Sequence, residues 1–154
     1  MRPGDFCEIL SNKKKGGVSA MKTNPIRVLV VDDHEMVRGS LAIFIETFDD
    51  LELVGEASDG REALRLCRRL HPDVVLMDLV MPRMDGIAAT RAIHTTFPEI
   101  AVVALTSFGE ERLVREAIEA GASGCLLKNT PIDQLAQAIR MANTGKAIEA
   151  SNQT

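Results

Sequence analysis

The chain has 154 residues, 45% hydrophobic and 26% charged, ordinary proportions for one globular domain with a sizeable core. Its formal net charge of −4 excludes the global basic field with which a protein grips nucleic acid or an anionic membrane. Cys7, Cys67 and Cys125 are far apart with no C-x-x-C pair, which argues against a disulfide framework or a zinc site, and no apolar stretch approaches the ~20 residues of a membrane span.

Residues 1–24 hold no sustained period and read as a flexible leader or extension, with Met21 as an alternative start. The lysines at 13–15 are followed by "GGVSAM", too short and polar for a signal-peptide core, so a cytoplasmic location is expected. From Pro25 the pattern becomes regular. "IRVLVVDD" (26–33) predicts a strand ending in two acids, and Val37, Leu41, Phe44, Ile45 and Phe48 then recur at helical spacing. "LELVGEAS" (51–58) predicts a second strand, and 60–70 a helix with Ala63, Leu66, Cys67 and Leu70 on one face. "DVVLMD" precedes a helix from about Gly86 to Phe97, "AVVALTS" (101–107) one from about Glu110 to Ala120, and "GCLLK" (124–128) the last. For that last helix Thr130 is the expected N-cap, Pro131 the first helical residue, and Asp133 a first-turn acid.

Five strands alternating with five helices predict βαβ units, a parallel sheet and right-handed crossovers covering both faces. Central parallel strands are buried on both sides, which explains the unbroken apolar runs. An antiparallel α+β layout would favour alternating strands, which are mostly lacking.

In such a sheet, sites form beyond the carboxyl ends of the strands. Asp32 and Asp33 end the first strand, Asp78 the third, Thr106 and Ser107 the fourth, and Lys128 the fifth; the second contributes nothing obvious. Three carboxylates brought together repel: at ~5 Å and an effective dielectric near 20, each pair costs roughly 3 kcal/mol. A hard divalent cation relieves that cost, and oxygen ligands favour Mg²⁺. A site so balanced can accept a phosphoryl group, with a carboxylate as nucleophile and metal, lysine and hydroxyl on its oxygens. Taken singly, these residues have plainer explanations. Asp85 is expected only to cap the helix at Gly86, and His34 only to open the first helix, since Mg²⁺ avoids nitrogen.

"VLVVDDHEMVR", "PDVVLMDLVMPRMDG", "VVALTS" and "GCLLK", in this order and spacing, resemble the receiver domain of bacterial two-component response regulators. "VVDDHEMVRGSL" and "EAIEAGASGCLLKNT" are most similar to regulators with a LuxR-type helix-turn-helix output domain. The resemblance spans about Ile26 to Gly145, giving a receiver over 25–145 and a tail or linker start over 146–154. It implies a flavodoxin-like (βα)5 doubly wound sheet in strand order 2-1-3-4-5, an order for which a member of this family is a standard illustration. It also implies that Asp78 is the phospho-acceptor, Thr106 the switch hydroxyl and Lys128 the phosphoryl-binding amine. Mg²⁺ would be bound by Asp33, Asp78 and the Val80 carbonyl, with Asp32 acting through water.

The implied partner is a sensor histidine kinase, with homodimerisation on phosphorylation as one readout and DNA contact only through an output domain not in this chain. The implied domain signals, and catalyses only its own phosphoryl transfer and dephosphorylation. Cys125 stands where many receivers carry an aromatic switch residue, and its expected role is core packing. Val80 and Phe108, both apolar, flank the phosphoryl position in this family and predict a long-lived phosphoprotein.

The alternatives are a stand-alone receiver acting by protein contact and a pseudo-receiver binding module. The second would be expected to lack Asp33, Asp78 or Lys128, and all three are present. An aspartate-nucleophile phosphatase resembling haloacid dehalogenases would carry D-x-D, but Val80 holds the second acid's place. A dinucleotide site would need glycines after the first strand, where "VVDDHEMV" has none.

Overall fold

The computed structural model describes residues 24–81, 84–107 and 110–145. Five strands alternate with five helices: β1 (Ile26–Val31), α1 (Glu35–Glu46), β2 (Leu51–Ala57), α2 (Gly60–Leu70), β3 (Val74–Asp78), α3 (Gly86–Thr96), β4 (Ala101–Thr106), α4 (Glu111–Glu119), β5 (Gly124–Leu127) and α5 (Ile132–Asn143). All strand pairings are parallel, in the order β2-β1-β3-β4-β5, as the resemblance implied. Residues 1–23 of the expected leader, and the expected tail over 146–154, lie outside the described residues.

The sheet's two faces explain the strand sequences. Val28, Val30, Leu76, Val103 and Leu105 pack with Phe44 and Ile45 of α1 and Leu135 and Ile139 of α5. Their neighbours Leu29, Val31, Val75, Met77 and Val102 point the other way, toward Ala63 and Cys67 of α2 and Ala89 and Ile93 of α3. Every residue of β3 is therefore buried, whereas edge strands β2 and β5 bury only part of theirs.

The loops carry their own constraints. Asp85 accepts the Ala88 N–H at 2.9 Å and caps α3 as expected. Asp59 does the same for α2 through Glu62, whose carboxylate in turn accepts the Ser58 N–H. At the far end of α2, His71 turns left-handed at φ 49, and the Arg27 guanidinium donates to the Leu70 and His71 carbonyls at 2.8 Å each. That contact ties the end of α2 to the start of β1.

Two local expectations are corrected. Pro131, not Thr130, is the N-cap of α5: its ψ of 144° is extended, its carbonyl accepts the Gln134 and Leu135 N–H groups, and no side chain caps the helix. Thr130 instead donates its N–H to the Leu127 carbonyl in the preceding turn. Phe48 lies beyond α1, which ends at Glu46, yet it still packs on the core with its ring 5.5 Å edge-on from Phe44.

Candidate functional site

The carboxyl edge of the sheet gathers the polar strand ends into one cluster. Asp32 leaves β1 fully buried, and its N–H donates to the Ala57 carbonyl of β2 at 3.0 Å. Asp78 is the last residue of β3, only 2% exposed, and pairs in register with Leu105 beside Thr106. Lys128 follows β5, and its N–H donates to the Thr106 carbonyl at 2.9 Å. Its side chain crosses β4 to place Nζ 2.9 Å from Asp32 Oδ2 and 3.3 Å from Asp78 Oδ1. Asp32, Asp33, Asp78, Thr106 and Lys128 thus share this edge, with Asp33 the more open of the three acids.

The electrostatics follow from that packing. Burial, then the neighbouring Asp32 charge, raises the Asp78 carboxyl to about 6, against the opposing pull of Lys128 and the Val80 N–H. Burial works against the Lys128 ammonium, but Asp32 and Asp78 together outweigh it and raise its pKa. One lysine therefore serves two carboxylates and leaves an excess of negative charge.

The donor set fits a divalent cation. Asp33 Oδ1 and Asp78 Oδ2 are buried without a hydrogen-bond partner, an arrangement that costs free energy unless something fills it. Asp32, Asp33, His34 and Asp78 each offer a ligand atom, all within 4.8 Å of one another. Val80, 64% exposed, directly follows this group and donates its N–H to Asp78 Oδ1 at 3.3 Å.

Sequence reasoning missed part of the support. Arg38 on α1 donates to the Asp32 carbonyl at 2.8 Å and is itself held by Glu56 of β2 at 3.1 Å. The edge strand therefore contributes after all, by fixing the turn that carries the acid pair. Arg38 lies one helical turn beyond His34, a spacing that signals proximity once the helix is placed. His34 does open α1, but its ring also turns back onto the acids. Cys125 packs with Leu79, Ala104, Ala117 and Ala122, in line with the expected packing role, and burial pushes its thiol up to about 11. Phe108 lies outside the described residues.

A five-stranded parallel sheet with buried acids and a lysine at its carboxyl edge defines a phosphoryl-switch class of domain. The model for the response regulator receiver domain matches residues 28–140. The chain is 51% identical over 121 residues to the transcriptional regulatory protein LiaR of Bacillus subtilis, covering 79% of this chain and 57% of that protein. It is 43% identical over 123 residues to the response regulator protein VraR of Staphylococcus aureus, covering 80% of this chain and 59% of that one. The structure of a LuxR-family two-component response regulator from Aurantimonas superposes with a TM-score of 0.78 at 35% identity, over 84% of this chain and 92% of that one. The chain belongs to the response regulator receiver domain family, the phosphorylation-activated signalling domain of two-component systems. It spans less than two thirds of the length of LiaR and VraR.

Proposed function

We propose that this receiver accepts a phosphoryl group on Asp78 from the phosphohistidine of a sensor histidine kinase. The P–N bond breaks as a P–O bond forms to an Asp78 carboxylate oxygen, and the imidazole nitrogen leaves. The observation that carries the reading is the buried Asp78 carboxylate, with Lys128 against Oδ1 and a partnerless Oδ2. Lys128 and the Thr106 hydroxyl would hold the phosphoryl oxygens. Asp33, Asp78 and the Val80 carbonyl would hold Mg²⁺ directly, and Asp32 through water. The ion supplies charge neutralisation for the transferring group.

The domain boundaries of this reading are 25–145. The domain signals, and the only chemistry it performs is its own phosphoryl transfer and dephosphorylation. LiaR is by name a transcriptional regulatory protein, which supports a role in controlling a DNA-binding output domain, in the cytoplasm, through self-association or docking. No described helix is long and apolar enough to cross a membrane.

Intact mass after incubation with Mg²⁺ and acetyl phosphate tests the assignment. One phosphoryl unit is expected on the wild type and none on Asp78→Asn. Undiminished single-site labelling of that variant overturns it.

A further inference from the structure

Charge is distributed unevenly around this fold. Helix α2 carries Arg61, Arg65, Arg68 and Arg69 against the single acid Glu62, although the chain as a whole is acidic at −4. Leu66 and Leu70 of α2 pack over Gly55 of the edge strand β2, where a Cβ on that glycine would meet both side chains. Arg61, Arg65 and Arg69, spaced four apart, form the next row outward and overhang the open edge of the sheet. All three are exposed.

The opposite face carries the opposite charge at the same edge. Arg38 of α1 reaches Glu56 of β2, which places the row through Arg38, Ala42 and Glu46 beside that strand. Glu46 ends this row exposed, and Asp49 follows it, also exposed, in the turn into β2. Arg65 reaches only Glu62, at 3.8 Å, and among the described residues Arg61, Arg69, Glu46 and Asp49 make no ion pair. Neighbouring Asp50, by contrast, is held by Arg140.

Topology sets these charges level. Each of α1 and α2 links parallel strands, so both helices run from the carboxyl edge of the sheet to its amino edge. Glu46 and Arg69 stand near the ends of their helices, at the end of the sheet opposite the acid cluster. They lie on opposite faces, because α1 packs on one and α2 on the other. A two-fold axis along the strands beside β2 exchanges the two faces and keeps the ends level. It sets Glu46 and Asp49 of one copy against Arg65 and Arg69 of another, and the same pairing occurs a second time.

We propose that the β2 edge is a self-complementary docking surface for a second copy of this chain, held by Arg65 and Arg69 of α2 against Glu46 and Asp49 of α1. The contact is made by the helices on either side of the edge, needs no strand pairing, and does not depend on Asp78 or its phosphorylation. A second copy fits better than a polyanion such as nucleic acid, since Glu46, Asp49 and Glu52 stand exposed at the same edge and would repel it. Exposed ion pairs are individually weak and screened by salt, so the association is of low affinity and sensitive to ionic strength.

Sedimentation velocity of the full chain, in EDTA and with no phosphodonor, tests this. The wild type should form a dimer at about 0.03 M ionic strength, with an association constant at least about tenfold lower at about 0.5 M. Arg65→Glu/Arg69→Glu and Glu46→Lys/Asp49→Lys should each be monomeric at low salt. Their equimolar mixture should dimerise, because each variant then meets the opposite charge. Arg65→Gln/Arg69→Gln, which removes charge without reversing it, should weaken the wild-type dimer by at least about tenfold. All four positions are exposed, and circular dichroism checks the fold of each variant.

A wild type that stays monomeric at low salt up to about 0.5 mM overturns the proposal. So does a dimer indifferent to both arginine variants, or a mixture that stays monomeric. Binding of a short DNA duplex that the arginine variants lose, with no wild-type dimer, also overturns it and makes the row a polyanion contact instead.

Discussion

Replacing Asp78 by Asn should make the metal-free protein more stable at neutral pH, although it removes a partner of Lys128. The Asp78 carboxyl stands at about 6 against an ordinary 3.8, because it is buried beside Asp32. Folding therefore tightens proton binding, and ionising the group costs stability. Below the ordinary value both states are protonated and the cost is absent; it grows as pH rises toward about 6 and is full above. The gap corresponds to ~3 kcal/mol, a net figure in which the attraction of Lys128 and the Val80 N–H is already included. Asn keeps the shape and drops the charge, so the variant should gain up to ~3 kcal/mol, or about 10 °C in Tm, at neutral pH. Urea unfolding in EDTA across the acid-to-neutral range measures this. The gap should close toward acid pH, and Mg²⁺ should narrow it by stabilising the wild type more. A variant no more stable than the wild type at neutral pH, or a gap that ignores pH, refutes the reasoning.

Other perturbations have outcomes set by packing. A Cβ on Gly86 would collide with the Asp78 carbonyl oxygen and lie 2.6 Å from Leu79 Cα, both backbone, so Gly86→Ala should cost about 2–3 kcal/mol in urea unfolding and weaken metal binding by displacing Asp78. Gly121 has φ +115° and a Cβ position 2.7 Å from His94 Cβ, so Gly121→Ala should destabilise by about 1–3 kcal/mol; adding His94→Ala should recover the steric part only, as a double-mutant cycle measures. Burial pushes the Cys67 and Cys125 thiols to about 12 and about 11, so both should react slowly with a thiol reagent at pH 8 in the native protein and fast in urea, as absorbance of the released thiolate reports.

The strand ends were legible because the sheet is parallel and buried on both faces. An apolar run such as Val74–Met77 tolerates no polar residue inside, so Asp78 could only mark where the strand meets solvent or a site. The same reasoning found Asp32, Asp33, Thr106 and Lys128. It failed where placement depends on register. Ile26 to Val28 pair with Leu51 to Leu53, but an extra β2 residue then shifts the ladder, so Val30 faces Glu56 instead of Gly55. That bulge brings Glu56 to Arg38, and no sequence period announces it. The His34 ring escaped for a related reason: its direction is set by the Asx turn on Asp32, a bond invisible to residue spacing. Pro131 escaped because proline suits both the first helical position and an extended cap, and only its ψ distinguishes them.

The resting geometry also constrains how a phosphorylated site would signal. Lys128 Nζ is shared between Asp32 and Asp78, so a phosphoryl group on Asp78 replaces one of its two anionic partners with a more highly charged one. Nζ must then shift toward the new oxygens and loosen its contact with Asp32. The Lys128 N–H is bonded to the Thr106 carbonyl, so any displacement of the Lys128 backbone is felt at the end of β4. In receivers with an aromatic ring at position 125, that ring can move into space vacated there. Cys125 is already packed among Leu79, Ala104 and Ala117, and it has no ring to move. A displacement at Lys128 would therefore be felt first at the backbone ends of β4 and β5, where Leu127 is already exposed.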